Sequence, residues 1–333
     1  MRILITGGAG YIGSHAVKET LSQGHEVWVL DDLSKGHRRA VDPKAELIVG
    51  STNNFELLVN VLESRKIEAV MHFAASAEVA ESVTDPAKYY SNNVVCSFNL
   101  LNAMRKCKVQ RLVFSSTAAV YGSPDKTPIN ESQVSQPVNP YGRTKWITEM
   151  AIEDYSKAYG LGYTILRYFN VAGAHPDGDI GEDHRPESHL IPRVLASGLN
   201  EDTPVKIFGT DYPTPDGTCL RDYVHVMDLA SAHVLAIEST VPGSGNTYNL
   251  GSENGFSVRD VISACENIIQ GRLKIVEEAR RAGDPASLIA NSDRARNQLR
   301  WRPKFPEMET IVRHAWQWHS RHPEGYGPNS NSE

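Results

Sequence analysis

Arg2-Ile3-Leu4-Ile5-Thr6-Gly7-Gly8-Ala9-Gly10-Tyr11-Ile12-Gly13-Ser14-His15-Ala16-Val17-Lys18-Glu19-Thr20-Leu21 sets the fold of this chain. Its opening residues are short, apolar and β-branched, the mark of a buried strand, and from Ser14 onward the apolar residues recur at helical spacing. Between the two, glycines fall at 7, 10 and 13. Strand, glycine-rich turn and helix in that order make a dinucleotide loop. Gly7 allows the tight turn, Gly10 the close approach of a pyrophosphate, and Gly13 the packing of helix on strand. The pyrophosphate would rest on the helix N-terminus, where free N–H groups and the helix dipole favour an anion.

Outward from this stretch, Glu26-Val27-Trp28-Val29-Leu30 reads as a second strand that ends at Asp31-Asp32. A carboxylate there, roughly 20 residues past the glycines, can hold both hydroxyls of an adenosine ribose. It would also repel a 2′-phosphate, which favours NAD over NADP even though Arg38 and Arg39 follow closely. Further strands are predicted at Leu47–Val49, Ala69–Ala75, Arg111–Thr117 and Tyr163–Tyr168. Helical patterns separate them over 53–63, from Pro86 to Lys106, and from Pro140 onward. The small residues Ala74 and Ala75 at a strand's carboxyl end leave room for a cofactor. Alternation of this kind predicts an α/β fold with a Rossmann-type, doubly wound parallel sheet, complete with six strands by residue 170.

Beyond residue 170 the chain changes character. Val171–Glu187 is a long loop rich in Gly, Pro, Asp and His, of the kind that carries function. Shorter elements follow: helices over 191–198, up to 238, 258–269 and 307–319, and strands at 205–208 and 247–250. The organisation expected is a cofactor domain over 1–170, joined by parts of 219–250, a smaller mixed α/β substrate domain over 171–325, and a mobile tail over 326–333.

The totals set limits. A net charge of −6 over 333 residues, with no basic run, argues against a nucleic-acid partner. No apolar run approaches the ~20 residues of a membrane span. Met1 leads straight into the first strand with no signal peptide, and Cys96, Cys107, Cys219 and Cys265 are scattered. A cytoplasmic protein with reduced thiols and no membrane segment is expected. The histidines are also dispersed, and no metal site is expected.

In Asn139-Pro140-Tyr141-Gly142-Arg143-Thr144-Lys145, Pro140 suits the first position of a helix. Tyr141 and Lys145 then share one helix face. A phenol titrates near ~10. A nearby ammonium favours the phenolate and should lower that value, making a base that works near neutral pH. The spacing alone is common, and an amphipathic helix would also carry it. Its place in the chain gives it weight: Thr117 ends the fifth strand, Tyr141 opens the helix before the sixth, and both would face the cofactor crevice.

With these residues the chain resembles the extended short-chain dehydrogenase/reductase family, and within it the UDP-glucose (UDP-galactose) 4-epimerases. The resemblance also rests on His72-Phe73-Ala74, Phe114-Ser115-Ser116-Thr117, Leu166-Arg167-Tyr168-Phe169-Asn170, Arg221-Asp222-Tyr223-Val224-His225-Val226-Met227-Asp228-Leu229 and Tyr248-Asn249-Leu250-Gly251. It implies an NAD-dependent isomerase acting on a UDP-hexose through a 4-keto sugar. Tyr141, Lys145 and Thr117 would be catalytic. The cofactor would be held by Gly7, Gly10, Tyr11, Ile12, Gly13, Asp31, Asp32, Phe73, Ala74, Ala75, Asn92, Ser115, Tyr141, Lys145 and Tyr168. The UDP-sugar would meet Thr117, Tyr141, Asn170, His189, Leu190, Lys206, Ile207, Phe208, Arg221, Tyr223, Arg281 and Asp284. A salt bridge to Asp222 or Asp228 is the other reading of Arg221, and Arg280 could stand in for Arg281. Family members commonly form homodimers through two helices of the first domain. Here these are the helices after Pro86 and Pro140, although Trp146, Ile147 and Met150 would equally suit a core.

Several positions depart from the family pattern. Ser51 stands where relatives place an adenine-contacting Asp, no lysine follows the fourth strand in Ala75-Ser76-Ala77-Glu78, and His189 replaces an Asn. Leu288 falls where some relatives have a Tyr ring, which should enlarge the sugar pocket toward N-acetylhexosamines. UDP-N-acetylglucosamine, UDP-xylose/arabinose and UDP-glucuronate 4-epimerases are the rival readings. A 4,6-dehydratase would place an Asp-Glu pair at Ala118-Ala119. A non-catalytic NAD-binding regulator would have no need of Tyr141, Lys145 and Thr117.

Overall fold

The strand-forming runs pair through their backbones into one parallel sheet with two smaller sheets beside it. The computed structural model describes residues 1–124, 126–199, 203–281 and 284–327. Its strands are Arg2–Thr6 (β1), Glu26–Asp31 (β2), Glu46–Val49 (β3), Ala69–His72 (β4), Arg111–Thr117 (β5), Gly162–Tyr168 (β6), Asn170–Ala172 (β7), Val205–Phe208 (β8), Leu220–His225 (β9), Gly245–Leu250 (β10), Gly255–Ser257 (β11), Ile275–Glu278 (β12) and Ser287–Leu288 (β13). The helices are Tyr11–Ser22 (α1), Phe55–Ser64 (α2), Val79–Thr84 (α3), Pro86–Tyr89 (α4), Cys96–Lys106 (α5), Pro140–Tyr159 (α6), Leu190–Leu199 (α7), Val226–Ser239 (α8), Val258–Ile269 (α9) and Met308–Arg321 (α10).

The main sheet runs β10-β6-β5-β4-β1-β2-β3, and every neighbouring pair is parallel. Alternate residues of a strand face opposite sides. Ile3 and Ile5 therefore enter the core under α1 and α8, with Val17, Leu229 and Ile237. Leu4 enters the core under α2, α5 and α6, with Leu58, Leu100 and Ile152. Successive strands leave β1 in opposite directions, so a crevice opens at the carboxyl ends of β1 and β4, where open α/β sheets bind ligands. In the second layer, β9 pairs with β7, β11 and β13. Helices α7, α9 and α10 enclose a separate core around Ile191, Leu195, Ile207, Val261 and Ile311.

The structure differs from the sequence reading at four points. The main sheet has a seventh strand, β10, contributed from beyond residue 240, because Tyr248 and Leu250 complete the same core as Ile3 and Ile5. The helix expected from Pro86 widens into π-helical turns at Tyr90–Val95. There the Asn92 amide donates to Ser76 Oγ (3.1 Å), and that of Asn93 donates to the Ser76 carbonyl (2.9 Å) and Thr144 Oγ1 (3.1 Å). The tail is anchored at its first residue: Tyr326 is buried, stacks on His37 and donates its hydroxyl to the Gly181 carbonyl (3.2 Å). The rest of the expected mobile tail, from residue 328, lies outside the described residues. The short strands β7, β11, β12 and β13 span two to four residues, too few for a periodic pattern to show.

Candidate functional site

The cofactor cradle is built from backbone. Gly7 has φ +74°, and a Cβ on it would fall 2.5 Å from the Ala74 nitrogen. The turns after β1 and β4 therefore touch main chain to main chain. A Cβ on Gly13 would fall 2.0 Å from the Gly7 carbonyl oxygen, whereas one on Gly10 would meet only that oxygen, at 3.4 Å. Helix α1 starts at Tyr11 with no side chain capping it, which leaves its first N–H groups, including those of Tyr11 and Ile12, free for an anion. These features fit a dinucleotide pyrophosphate.

The two aspartates divide their roles. Asp31 is buried and accepts from the Ala9 and Leu33 N–H groups (both 2.9 Å), so it ties the glycine loop to β2. Burial raises its pKa, and those two bonds act against the rise. Asp32 is exposed and accepts from Ser34 N (3.0 Å). The Ser51 hydroxyl, at the position where an adenine contact is expected, accepts from Asn53 N. The Tyr11 phenol crosses to the Gly173 carbonyl (2.6 Å) and couples the glycine loop to the long loop of the second layer.

The reacting groups meet at the ends of β5 and β6. Asn139 caps α6 by accepting from Gly142 N (2.8 Å), and Pro140 occupies the first turn. A Cβ on Gly142 would lie 2.5 Å from the Ala119 carbonyl oxygen, so the helix start docks closely on the turn after β5. Thr117 stands opposite Tyr168 in the sheet and hydrogen-bonds the Tyr141 phenol. Lys145 donates to the Ser115 carbonyl (2.9 Å) and lies 4.9 Å from the centre of the Phe114 ring.

The expected lowering of the Tyr141 pKa by Lys145 does not occur here. Burial pushes the phenol up to about 12, and only the Thr117 hydrogen bond draws it back. Burial likewise pushes the Lys145 ammonium down to about 8, against the pull of Glu149. The low dielectric that would strengthen a phenolate–ammonium pair penalises each charge first, and the ammonium is turned toward a carbonyl.

Phe73, Ser115 and Tyr168 converge on His233 of α8, a residue with no local sequence signal because it sits in an apolar helix. Its Nδ1 donates to the Leu229 carbonyl (2.9 Å), its Nε2 lies 2.7 Å from Ser115 Oγ, and the Phe73 ring centre is 4.5 Å away. Two further groups were missed. His72 bridges Thr6 Oγ1 (2.6 Å) and Ser97 Oγ (3.0 Å). Glu149, one turn beyond Lys145, is buried in a bidentate pair with Arg167 and also accepts from Ser116 Oγ. A carboxylate four residues past the lysine on an otherwise internal helix face is the signal that could have found it.

The residues expected to hold the UDP-sugar form a second group on β7, β9 and β13. The Asn170 side chain hydrogen-bonds the buried Tyr223 phenol across the register. Arg221 does form a salt bridge, but with Asp284. Asp222 is taken by the N–H groups of Ser252, Glu253 and Ala290, and Asp228 by those of Lys304 and Phe305. Leu288 pairs with Arg221 in the sheet and packs against the apolar cluster that includes Ala118 and Tyr121, which joins this group to the one at the end of β5.

Of the two neighbouring arginines, Arg280 is held by Asp211 (2.6 Å). The Arg281 guanidinium stacks on Phe208 (4.0 Å) and has no ion pair among the described residues. Two expected contacts fail as side-chain contacts. Ile207 is buried in the second core, and Lys206 is exposed and paired with Glu278 (3.0 Å).

His189 and Leu190 mark the start of α7. His189 does not stand free: its Nδ1 lies 2.7 Å from Glu182 and 3.2 Å from Glu187, and His184 Nδ1 lies 3.1 Å from Glu182. These carboxylates raise the two histidines to about 10 and about 9 against the effect of burial. The sequence reading, which found the histidines dispersed, missed this cluster because its members are spaced irregularly through a loop.

The chain belongs to the NAD dependent epimerase/dehydratase family, whose model matches residues 3–251. It is 50% identical over 327 residues to the UDP-glucose 4-epimerase of Halalkalibacterium halodurans, covering 98% of each chain. The UDP-glucose 4-epimerase of Brucella ovis, solved with NAD, superposes with a TM-score of 0.91 at 44% identity over 95% of this chain and 97% of that one. That of Bifidobacterium longum, solved with NAD+ and UDP, gives 0.92 at 34% identity over 98% and 100%.

The site's buried histidines carry a pH signature. Burial lowers His15 and His233 to about 4 and His72 to about 3, against ~6.5 when unfolded. Neutral in the fold, they contribute stability that is complete above about 6.5 and is lost as pH falls toward those values. His184 and His189 are raised, so they act in the opposite sense and only on the alkaline side. Urea unfolding at pH 7, 6 and 5 should show a loss on the order of 2 kcal/mol per histidine by pH 5. A curve that stays flat from pH 7 to 5 would contradict the assignment.

Proposed function

We propose that this protein is an NAD-dependent 4-epimerase of UDP-hexoses that interconverts UDP-glucose and UDP-galactose. The observation that carries the reading is the linkage of two groups: Thr117, Tyr141 and Lys145 at the ends of β5 and β6, and Asn170, Arg221, Tyr223 and Asp284 of the second layer, joined through Leu288, which pairs with Arg221 and packs on the cluster that holds Ala118. The relatives named UDP-glucose 4-epimerase share this arrangement's chain from end to end. Residues 1–170 with part of 219–250 would hold the cofactor, and 171–325 the nucleotide of the substrate.

Bound NAD supplies the acceptor and donor for the hydride at C4. The rest falls to the side chains. The Tyr141 phenolate takes the proton of the sugar 4-hydroxyl and returns it to the opposite epimer. Thr117, bonded to that phenol, steadies the 4-oxygen and shares the proton's path. Lys145, whose ammonium donates to the Ser115 carbonyl, would hold the nicotinamide ribose. Arg221 and Arg281 present guanidinium groups suited to a diphosphate, and Asp284 a carboxylate suited to ribose hydroxyls. Anchoring through the diphosphate leaves the 4-keto sugar free to turn and present its other face.

Leu288 supports a second substrate class. It stands on β13 beside Arg221, and an aliphatic side chain there would take less space than a ring, which favours entry of a 2-acetamido group. The exposed Val95 and Met150 support a homodimer built on the helices after Pro86 and Pro140. No helix among the described residues is long and apolar enough to cross a membrane, which fits the cytoplasmic location we propose.

A panel of UDP-glucose, UDP-galactose, UDP-N-acetylglucosamine, UDP-xylose and UDP-glucuronate, with the C4 epimers resolved, should show fastest turnover of the first two. Tyr141→Phe should lower kcat by roughly 10²–10⁴-fold, and undiminished turnover would overturn the mechanism. Leu288→Tyr should cut UDP-N-acetylglucosamine turnover by about 10-fold or more with little change for UDP-glucose. Equal loss on both would refute the pocket argument. Light scattering should give a dimer that Val95→Glu with Met150→Glu converts to a monomer, and a wild-type monomer would rule out the proposed interface.

A further inference from the structure

Where the long loop meets α7, Glu182, His184, Glu187 and His189 each turn one ligand atom toward a common point, all within 4.8 Å of one another. Four carboxylate-to-Nδ1 separations link the group: Glu182 Oε1 lies 2.7 Å from His189 and 3.1 Å from His184, while Glu187 reaches His189 through Oε1 (3.2 Å) and His184 through Oε2 (3.7 Å). Nitrogen and oxygen ligands ~2.0–2.1 Å from a zinc ion lie about 3.3 Å apart along the edges of a tetrahedron. The four separations bracket that value.

The donor set points the same way. Two imidazoles with two carboxylates suit zinc and its first-row neighbours, whereas magnesium and calcium take oxygen shells. Glu182 is 3% exposed, and a buried carboxylate needs a counter-charge. No lysine or arginine reaches it among the described residues, and Arg185 turns to Asp183. One divalent cation with neutral imidazoles balances the two carboxylates as well as two imidazolium ions do. The backbone is also fixed, since Trp318 Nε1 donates to the Glu182 carbonyl (3.1 Å).

The other histidine–carboxylate cluster, His175 with Asp177 and Asp179, differs because the Lys18 ammonium already fills it.

The position suggests a purpose. The His184 ring meets the edge of Tyr11, whose phenol is bonded to Gly173, and His37 Nε2 lies 2.9 Å from the Asp183 carbonyl. Locking residues 182–189 would hold the loop against the start of α1. We propose that Glu182, His184, Glu187 and His189 bind one zinc-type divalent cation that clamps the 173–189 loop over the cofactor cradle.

The test uses the full chain with NAD bound, treated with chelator and titrated with Co²⁺. One equivalent should give the intense visible bands of a four-coordinate site, and Zn²⁺ should displace it. His184→Ala, with folding verified by circular dichroism, should weaken Zn²⁺ by about 100-fold or more. Glu187→Gln takes its place if that variant does not fold. His175→Ala should leave the affinity unchanged. Bound Zn²⁺ should also slow NAD release about 10-fold. The absence of a saturable Co²⁺ spectrum in the wild type, or equal Zn²⁺ affinity in the ligand variant and wild type, would overturn the site. NAD release at one rate with and without bound Zn²⁺ would overturn the clamp.

Discussion

Charge is costly at the place where this protein needs it. Tyr141 and Lys145 are both buried between the start of α6 and the ends of β5 and β6, and burial drives each toward its neutral form. The surroundings answer this constraint in layers. Glu149, a turn beyond Lys145, favours the ammonium, and Glu149 is itself matched by Arg167, whose guanidinium rests on the Tyr121 hydroxyl (3.0 Å). His72 and His233 stay neutral and serve as hydrogen-bond bridges. Among the described residues no cation is turned toward the phenol, so in the proposed mechanism its ionisation would wait on the positive charge that NAD brings when bound. Base strength at Tyr141 would thereby be linked to an occupied cofactor site.

Close backbone contact is the other half of the design. Gly7 against Ala74, Gly13 against Gly7 and Gly142 against Ala119 bring three turns together with no side chain between them. The cofactor crevice is the space those contacts leave. The second layer is tied to the glycine loop through the Tyr11–Gly173 bond and carries Arg221 on β9, paired with β7, so Arg221 and Tyr141 are held in one connected framework.

Much of this was legible in the sequence. Strand alternation and the glycine spacing gave the sheet, and Tyr141, Lys145 and Thr117 were placed together by their order between strands five and six. Three things were not legible, each because it depends on distance in space. The strand expected at 247–250, in a stretch already expected to join the cofactor domain, pairs beside β6 as a seventh strand of a sheet expected to have six. The partner of Arg221 proved to be Asp284, 63 residues away, while the adjacent Asp222 was claimed by backbone N–H groups. The Tyr141–Lys145 spacing promised a lowered phenol pKa, but spacing carries no information about desolvation, which reverses the sign.

The ionisation of Tyr141 itself tests this account most directly. Phenolate absorbance can be titrated as the difference between wild type and Tyr141→Phe, first on cofactor-free protein and then on protein loaded with NAD. The account predicts that the cofactor-free phenol stays neutral until pH approaches about 12, and that NAD moves its ionisation several pH units toward neutrality. A cofactor-free phenol that already ionises near neutral pH, or one that NAD leaves unmoved, would contradict it.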